Sequence, residues 1–365
     1  MTSPPDVLVI GGGAIGCAVA WELSRRNLSA TVVERGAPCR EATWAAAGML
    51  SPLGHADRSP AMLQLATTSL DLWPGFAADL LESTGVDVEY RTSGALHVAF
   101  DDAEARALED FVRRGGDFGT ELLSAEDARR LEPVLSHAVR SAAFIARDHR
   151  VHNRRLGMAL WSACTGAGVT FLTDTTVTAL ASDDARFTGV RTARGDTLQA
   201  GAVVLAAGAW SAGLEGLPRP LPVRPVRGQM LAVEEPRPRH VLHGSSVYLV
   251  PRENGHLLVG ATVEEVGFRA GPTPGGIASL IRAAECILPD IAEARIVETW
   301  AGYRPGTPDA LPILGNEPAV SGVYYATGHY RNGILLAPIT GQLLAQLIAG
   351  EEPVLQLGPF GVGRF

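Results

Sequence analysis

The chain of 365 residues is 46% hydrophobic, enough to bury one or two sizeable cores, and its length favours two domains. Its 31 basic and 39 acidic residues give a net charge of −8 without a basic block, which argues against nucleic acid as a partner. A predicted strand begins within the first six residues or so, so we expect no signal peptide and a cytoplasmic protein.

The cysteines and the basic residues restrict the available chemistry. Cys17, Cys39, Cys164 and Cys286 show neither CxxC nor metal-ligand spacing, so we expect reduced thiols and no metal site. All 31 basic residues are arginine, which excludes a Schiff-base lysine. Arginine, whose planar guanidinium suits carboxylates, must therefore carry out any cationic recognition.

A dinucleotide-binding motif opens the chain. The apolar run 7–10 predicts a buried strand, and Gly11-x-Gly13-x-x-Gly16 follows it directly at the start of a helical pattern. These glycines permit a tight turn, the approach of backbone N–H groups to a pyrophosphate, and close packing of helix on strand. Glu34 ends a second apolar strand about 20 residues on, where a carboxylate accepts hydrogen bonds from a ribose. The motif therefore predicts a dinucleotide site.

A segment rich in small residues follows the motif. Residues 40–49 contain four alanines and one glycine between polar flanks. Such a segment suits backbone packed closely against a ligand. The alternative is the packing face of a small-residue helix.

Helices and strands alternate through the middle of the chain. Hydrophobic periodicity predicts helices over residues 57–81 with a break at Pro74-Gly75, over 103–114, from the Ser124 cap to Leu131, and over 275–288. Alternating patterns predict two strands over residues 86–100, on either side of Thr92-Ser93-Gly94. They also predict strands over 169–180 and 187–190. Residues 223–263 are predicted to form antiparallel hairpins.

Two apolar stretches complete the pattern. The run 201–210 predicts a strand buried on both faces, and Gly208 at its carboxyl end suits a second close approach to the dinucleotide. The chain ends in a further strand, loop and helix over 323–349. Pro338 and Gln342 interrupt the apolar character of that helix, so we expect it to be buried and expect no membrane span.

These elements predict an α/β fold with two interleaved domains. A Rossmann-like dinucleotide-binding domain takes residues 1–85, 140–216 and 299–365. An α+β substrate domain built on an antiparallel sheet takes residues 86–139 and 217–298. The sequence contains no linker, repeat or low-complexity tract between them.

Six stretches carry a family resemblance over nearly the whole chain: residues 11–16, 34–35, 45–49, 247–252, 300–309 and 328–338. They resemble the D-amino-acid oxidase superfamily of flavoproteins and, within it, the glycine oxidases associated with thiazole synthesis. The last two stretches are long and specific.

The resemblance implies that the dinucleotide is flavin adenine dinucleotide (FAD). Together with the glycine motif and Gly208, it predicts an FAD site made by Gly11, Gly13, Ala14, Ile15, Gly16, Glu34, Arg35, Ala42, Thr43, Ala47, Gly48, Met49, Val177, Gly208, His329, Tyr330, Arg331, Asn332, Gly333, Ile334 and Leu335. We expect non-covalent binding, because the histidine or cysteine to which relatives attach the flavin is missing. Ala45 occupies the position of the histidine. The cysteine of other relatives lies near the C-terminal flavin loop, whereas the last cysteine of this chain is Cys286.

The C-terminal flavin loop carries two further expectations. The N–H groups of Asn332 and Gly333, expected to open the last helix, would stabilise negative charge on the reduced flavin. The alternative is that Gly333 merely permits a turn. His329 could equally be a solvated loop residue.

The resemblance implies three catalytic residues, Arg304, Tyr248 and Arg331. It assigns the substrate carboxylate to Arg304, an assisting role to Tyr248, and a position near substrate and flavin to Arg331. A bidentate arginine–carboxylate pair fixes the orientation of an amino acid. From the residues alone, Arg304 could instead be exposed or paired with Asp309, and Tyr248 could be a packed strand aromatic.

The implied activity is FAD-dependent oxidation of glycine or small N-methyl or D-amino acids by hydride transfer from Cα to flavin. The expected partners are that amino acid or secondary amine and an electron acceptor, either molecular oxygen or another oxidant. The resemblance also implies a role in thiazole (thiamine) synthesis. It leaves open whether the chain forms a homo-oligomer. Two alternatives remain: a membrane-linked D-amino-acid dehydrogenase that passes electrons to quinone, and a non-catalytic flavoprotein subunit.

Two positions depart from the family pattern. A methionine that lines the small substrate pocket of a glycine oxidase falls at Val263, and a nearby histidine falls at Ser246. Both replacements are smaller. We therefore expect more room beside the substrate Cα or amine.

Overall fold

The structure is a computed structural model that describes residues 4–54, 59–115, 118–234 and 238–365. Its helices are α1 (Ala14–Ser24), α2 (Ala42–Ala45), α3 (Pro60–Thr84), α4 (Asp102–Gly115), α5 (Ala125–Leu131), α6 (Asn153–Gly166), α7 (Pro274–Ile287) and α8 (Ala337–Ala349). Its strands are β1 (Val7–Ile10), β2 (Ala30–Val33), β3 (Met49–Leu50), β4 (Ala95–Ala99), β5 (Thr120–Ser124), β6 (Ser141–Ile145), β7 (His149–Arg150), β8 (Thr170–Leu172), β9 (Val177–Asp183), β10 (Arg186–Thr192), β11 (Thr197–Leu198), β12 (Ala202–Leu205), β13 (Arg224–Glu234), β14 (Val241–His243), β15 (Tyr248–Pro251), β16 (His256–Gly260), β17 (Arg295–Gly306), β18 (Ile313–Asn316) and β19 (Val323–Thr327).

A six-stranded sheet carries the dinucleotide motif. Its strand order is β18-β19-β12-β1-β2-β8, with parallel pairing except between β18 and β19. Both β1 and β12 are buried along their whole length, as expected for parallel strands covered on both faces. Since β1 pairs with β2 on one side and β12 on the other, the turn after β1 lies at the switch point where α/β sheets bind nucleotides.

The helices α1, α3, α6 and α8 share a core with this sheet. The predicted break at Pro74-Gly75 is wrong, because α3 continues through Pro74 to Thr84. Trp73 and Phe76 are buried on either side of the proline, and this packing outweighs a cost of about 3 kcal/mol for proline inside a helix. The predicted start of this helix at residue 57 lies outside the described residues.

An eight-stranded sheet forms the second half of the fold, in the order β17-β13-β16-β15-β14-β4-β6-β5. Its neighbours pair antiparallel except β14 and β4, and the predicted hairpin over β15 and β16 is confirmed. The prediction of two strands over residues 86–100 is wrong. The second strand is β4, whereas Arg91 contributes an isolated bridge to Arg150.

Strand pairing suggests a different division of the chain into domains. Both β6 and β17 belong to the eight-stranded sheet, although residues 140–216 and 299–365 were assigned to the dinucleotide domain. The pairings of β17 with β13 and of β6 with β4 skip strands that lie between them in sequence, so local patterns could not assign them. We propose that the substrate domain includes both strands.

Three of the four free cysteines meet in the core below the dinucleotide turn. The Sγ atoms of Cys17 and Cys39 lie 3.5 and 3.4 Å from the carbonyl oxygen of Gly12. The thiol of Cys164 contacts the carbonyl oxygen of Cys17 at 3.2 Å. Burial therefore groups thiols that are far apart in sequence.

The C-terminal helix α8 is buried, as predicted, along most of its length. It packs closely on α1, where a Cβ added at Gly341 would lie 2.8 Å from the carbonyl oxygen of Ala18. In the described part of the chain, no helix combines the length and the apolar character that crossing a bilayer requires.

Candidate active site

A cavity of about 790 Å³ is lined by residues from both large sheets. Its lining includes Gly13 and Glu34 of the dinucleotide motif and also Tyr248 and Arg304. This volume is typical of small-molecule and cofactor sites, which span roughly 300–1,000 Å³. The fold therefore brings both predicted sites to one cavity.

Most of the predicted site residues line this cavity: Gly11, Gly13, Ala14, Ile15, Glu34, Arg35, Ala42, Thr43, Ala47, Gly48, Met49, Val177, Gly208, Tyr248, Arg304, His329, Tyr330, Arg331, Asn332, Gly333 and Ile334. Two predicted residues lie outside the lining. Gly16 packs beneath the turn, where an added Cβ would clash with the carbonyl oxygen of Gly11. Leu335 is buried, and its carbonyl oxygen accepts hydrogen bonds from Ser69 and Trp73.

The dinucleotide turn has a backbone conformation that favours glycine. Gly11 has φ of +101°, and a Cβ there would lie 2.5 Å from the carbonyl oxygen of Ala206. The N–H of Gly12 donates to a carboxylate oxygen of Glu34 at 2.7 Å, and the N–H of Ala14 donates to Thr43 Oγ1 at 2.9 Å. Helix α1 begins at Ala14, and its N-cap residue Gly13 has no side chain to cap it, so the other N–H groups of the first turn can bind an anionic group.

Glu34 retains the capacity that a ribose needs. One carboxylate oxygen accepts the N–H of Gly12 and the other accepts the N–H of Gly36 at 3.0 Å. A carboxylate offers about four acceptor positions, so ribose hydroxyl groups can still donate to it. The uncapped helix and this carboxylate fit a dinucleotide such as FAD.

The small-residue segment forms a tightly packed wall of the cavity. Ala45 to Gly48 line it, and an added Cβ at Gly48 would clash with the carbonyl oxygen of Val151. At Gly302, an added Cβ would clash with the side chain of Ala45. No large side chain protrudes from this part of the wall, so a flat ring can lie close to its backbone.

The sequence did not predict the two polar residues that hold this wall, Arg252 and Asn153. The guanidinium of Arg252 donates to the carbonyl oxygens of Val151 at 2.9 Å and Ala47 at 2.7 Å, and to Asn153 Oδ1 at 2.9 Å. Asn153 in turn donates to the carbonyl oxygen of Thr43 at 2.9 Å. Burial lowers the pKa of Arg252 to about 9, so it stays charged at neutral pH. Arg252 lies within the stretch 247–252 that carries the family resemblance, and this was the one feature of the sequence that could have identified it.

Arg304 lies half-buried on β17 with its guanidinium at the cavity. It donates to the carbonyl oxygen of Thr262 at 3.1 Å, and a Cβ at Gly228 would lie 2.5 Å from its terminal nitrogens. The alternative of an Arg304–Asp309 pair is wrong, because Asp309 accepts from Arg364 at 2.8 Å. Among the described residues, no carboxylate pairs with Arg304, so its guanidinium is available to an incoming carboxylate.

Tyr248 lies beside Arg304 on the neighbouring part of the sheet. Burial raises the pKa of its hydroxyl, while the nearby charge of Arg304 acts in the opposite direction. The hydroxyl is therefore protonated at neutral pH and can donate to a carboxylate. Space for its ring comes from Gly260, where an added Cβ would lie 2.7 Å from the ring.

The C-terminal flavin loop departs from one alternative and from one expectation. His329 is not solvated: it is 3% exposed, its Nε2 lies 3.1 Å from Thr340 Oγ1, and burial lowers its pKa to about 3. The last helix does not open at Asn332 and Gly333, since α8 begins at Ala337. The N–H of Asn332 donates to the carbonyl oxygen of His329 at 2.8 Å and is not available to a flavin.

Arg331 and the two departing positions lie at the solvent side of the cavity. Arg331 is exposed, with its guanidinium 5.1 Å from the centre of the Tyr330 ring. Val263 is 51% exposed and Ser246 is also exposed, although both line the cavity. These two small side chains therefore widen the rim of the cavity.

Comparisons with known proteins identify the family of the chain and its structural relatives. The family model described as FAD dependent oxidoreductase matches residues 6–347. Glycine oxidase of Pseudomonas putida is 38% identical, with 97% of each chain covered. The bifunctional protein ThiO/ThiG of Trichormus variabilis is 37% identical over 99% of this chain, which spans 55% of that protein. The crystal structure of glycine oxidase from Geobacillus kaustophilus covers 100% of both chains at 36% identity, with a TM-score of 0.95.

Proposed function

Because the chain belongs to the family of FAD-dependent oxidoreductases, we propose that it oxidises glycine or a small N-methyl or D-amino acid. The products are an imino acid, which water hydrolyses to a 2-oxo acid and an amine or ammonia, and hydrogen peroxide. The observation that carries this proposal is the Arg304 guanidinium, which lacks a carboxylate partner among the described residues and shares a cavity with the dinucleotide turn.

The residues of the cavity account for substrate orientation. Arg304 binds the substrate carboxylate through its planar guanidinium, and the Tyr248 hydroxyl donates to the same group. Together they fix the direction of the Cα–H bond, which is the main contribution that positioning makes to such a reaction. When bound, FAD supplies the two-electron acceptor for the hydride that leaves Cα. Exposed Arg331 adds positive charge at the rim, which attracts the carboxylate of a zwitterionic amino acid.

Molecular oxygen is the proposed electron acceptor. Relatives at 36–38% identity over nearly their whole length carry the name glycine oxidase, which favours an oxidase over a quinone-linked dehydrogenase or a non-catalytic subunit. The similarity to a ThiO/ThiG protein supports a role in supplying thiazole synthesis. A cytoplasmic location is part of the same proposal.

We expect sarcosine, D-alanine or D-proline to match or exceed glycine in kcat/KM. Val263 and Ser246 leave space at the rim for an added methyl group, which gains up to about 1 kcal/mol in proportion to the surface that binding removes from water. L-enantiomers are expected to fail, because Arg304 fixes which Cα substituent faces the flavin. Steady-state assays that measure hydrogen peroxide over this panel test the order of substrates.

Val263→Met is the matched variant for this expectation. It should shift the preference back toward glycine while leaving FAD content unchanged. A clear preference of the wild type for glycine over every larger amine would refute the wider rim. Absence of peroxide and of anaerobic flavin bleaching with every amine would instead refute the proposed function.

We expect FAD to be released quantitatively by acid precipitation. Ala45 occupies the position at which some relatives carry a histidine link, and Cys286 lies in α7, outside the cavity lining. The supernatant after precipitation should contain all of the yellow colour, measured by absorbance. Colour that stays in the pellet would show a covalent link.

A further inference from the structure

A cluster of two histidines and one aspartate lies beside the cavity, outside the residues assigned to FAD or the substrate carboxylate. His97 belongs to β4, His243 belongs to β14, and Asp148 lies in the turn between β6 and β7. One potential ligand atom from each of these residues lies within 4.8 Å of the other two.

Strand register explains how these residues meet. β14 pairs with β4 so that His243 faces His97, and it pairs with β15 so that His243 also faces Tyr248. Cross-strand partners point to the same face of a sheet. Both histidines therefore line the cavity, one and two strands away from Tyr248.

The cluster contains buried polar atoms whose hydrogen-bonding capacity is not used. Asp148 is 4% exposed, and one of its carboxylate oxygens accepts from Ser51 Oγ at 2.6 Å. That oxygen lies 3.9 Å from His97 Nε2, which is too long for a hydrogen bond. Within the described ranges, neither the other oxygen of Asp148 nor His97 Nε2 has a hydrogen-bond partner. Such atoms are rare in protein interiors and require a partner, such as a bound ion or an ordered water molecule.

We propose that His97, Asp148 and His243 bind a divalent transition-metal ion, for which Zn²⁺ is the best match. Two imidazoles and one carboxylate are the protein ligands of a familiar class of zinc sites, in which a further position stays open. Here the open position faces the cavity, because both histidines line it. The hydroxyl of Ser51 donates a hydrogen bond to the Asp148 carboxylate and orients it, as the hydrogen-bond partners of metal ligands commonly do.

Binding requires one ring to turn. The two imidazole rings are stacked, with centroids 4.2 Å apart and planes at 13°, so their nitrogen lone pairs run parallel and do not converge. His97 is held on its other face by Phe111 at 5.3 Å. His243 is half-buried and lines the cavity, and the centre of its ring lies 6.2 Å from that of Tyr248. The ion therefore binds by rotation of His243 toward Asp148.

This proposal departs from the expectation that the chain has no metal site. That expectation rested on the spacing of the cysteines, whereas the three ligands come from separate segments of one sheet and its turn. Their proximity depends on the pairing of β14 with β4 and of β4 with β6.

Metal analysis of the FAD-bound full-length protein tests the proposal. The protein is dialysed against EDTA, incubated with Zn²⁺, desalted, and analysed by mass spectrometry for metal and by absorbance for FAD. We expect about one Zn²⁺ per chain in the wild type and a loss of at least roughly tenfold in Asp148→Asn and in His243→Gln. His137→Gln, at an exposed histidine, is the matched control and should retain the ion.

Titration with Co²⁺ gives a readout that needs no variant. Coordination by two imidazoles and a carboxylate should produce visible absorption bands that saturate at one equivalent and disappear on addition of Zn²⁺. Absence of saturable binding by the wild type overturns the proposal. Equal Zn²⁺ retention by the wild type and by folded, FAD-containing Asp148→Asn and His243→Gln overturns it as well. Neither measurement depends on oxidase activity, so the proposed function and this site can fail separately.

Discussion

Arg304→Lys should lower kcat/KM for the preferred amino acid by tenfold to a hundredfold, although it retains the positive charge. Lysine lacks the planar guanidinium that can hold both oxygens of a carboxylate. A charge-assisted hydrogen bond of this kind is worth about 1.5–3 kcal/mol, which corresponds to that range. Steady-state kinetics with peroxide detection measure the effect.

The matched control for this variant is Arg295→Lys. Arg295 lies on the same strand, its side chain is 69% exposed, and it pairs with Glu234 at the surface. Its replacement should leave kcat/KM unchanged. FAD content and Tm should match the wild type in both variants, which separates loss of substrate binding from misfolding. An Arg304→Lys variant with wild-type kcat/KM would remove Arg304 from the substrate site.

Gly11→Ala should abolish stable FAD binding. Alanine at a φ of +101° is strained, and its Cβ would lie 2.5 Å from the carbonyl oxygen of Ala206, which directly follows the neighbouring strand β12. Backbone strain and overpacking each cost about 1–3 kcal/mol. Relief of the clash must move the turn or the segment that follows β12, both of which line the cavity. We expect the purified variant to lack most of its flavin, measured as the ratio of flavin to protein absorbance, and to have a lower Tm.

Gly36→Ala provides the control for this prediction. A Cβ at Gly36 meets no atom within 4 Å, and its N–H can still donate to Glu34. It should bind FAD as the wild type does. Full flavin content in Gly11→Ala, with a wild-type Tm, would show that the turn tolerates a side chain and that its glycine is not required.

The sequence specified the dinucleotide site because that site is built from local structure. One buried strand, its glycine turn, the following helix and a carboxylate at the end of the next strand lie within the first 34 residues, and each has a pattern readable by itself. The capped helix at Ser124 was confirmed for the same reason, since Ser124 Oγ accepts the N–H of Asp127 at 3.1 Å. Family resemblance, rather than spacing, supplied Arg304 and Tyr248.

Only the tertiary structure decided which distant groups meet. Helix α3 continues through Pro74 because buried aromatic side chains pack on both sides of the proline. The local preference of proline to end a helix does not take this packing into account. Asp309 pairs with Arg364 and leaves Arg304 available, and Asn332 gives its N–H to His329 instead of opening a helix. The cluster of His97, Asp148 and His243 depends on the register between strands far apart in sequence. Local propensity and periodicity determine the elements, whereas the partners of a side chain follow from how those elements pair and pack.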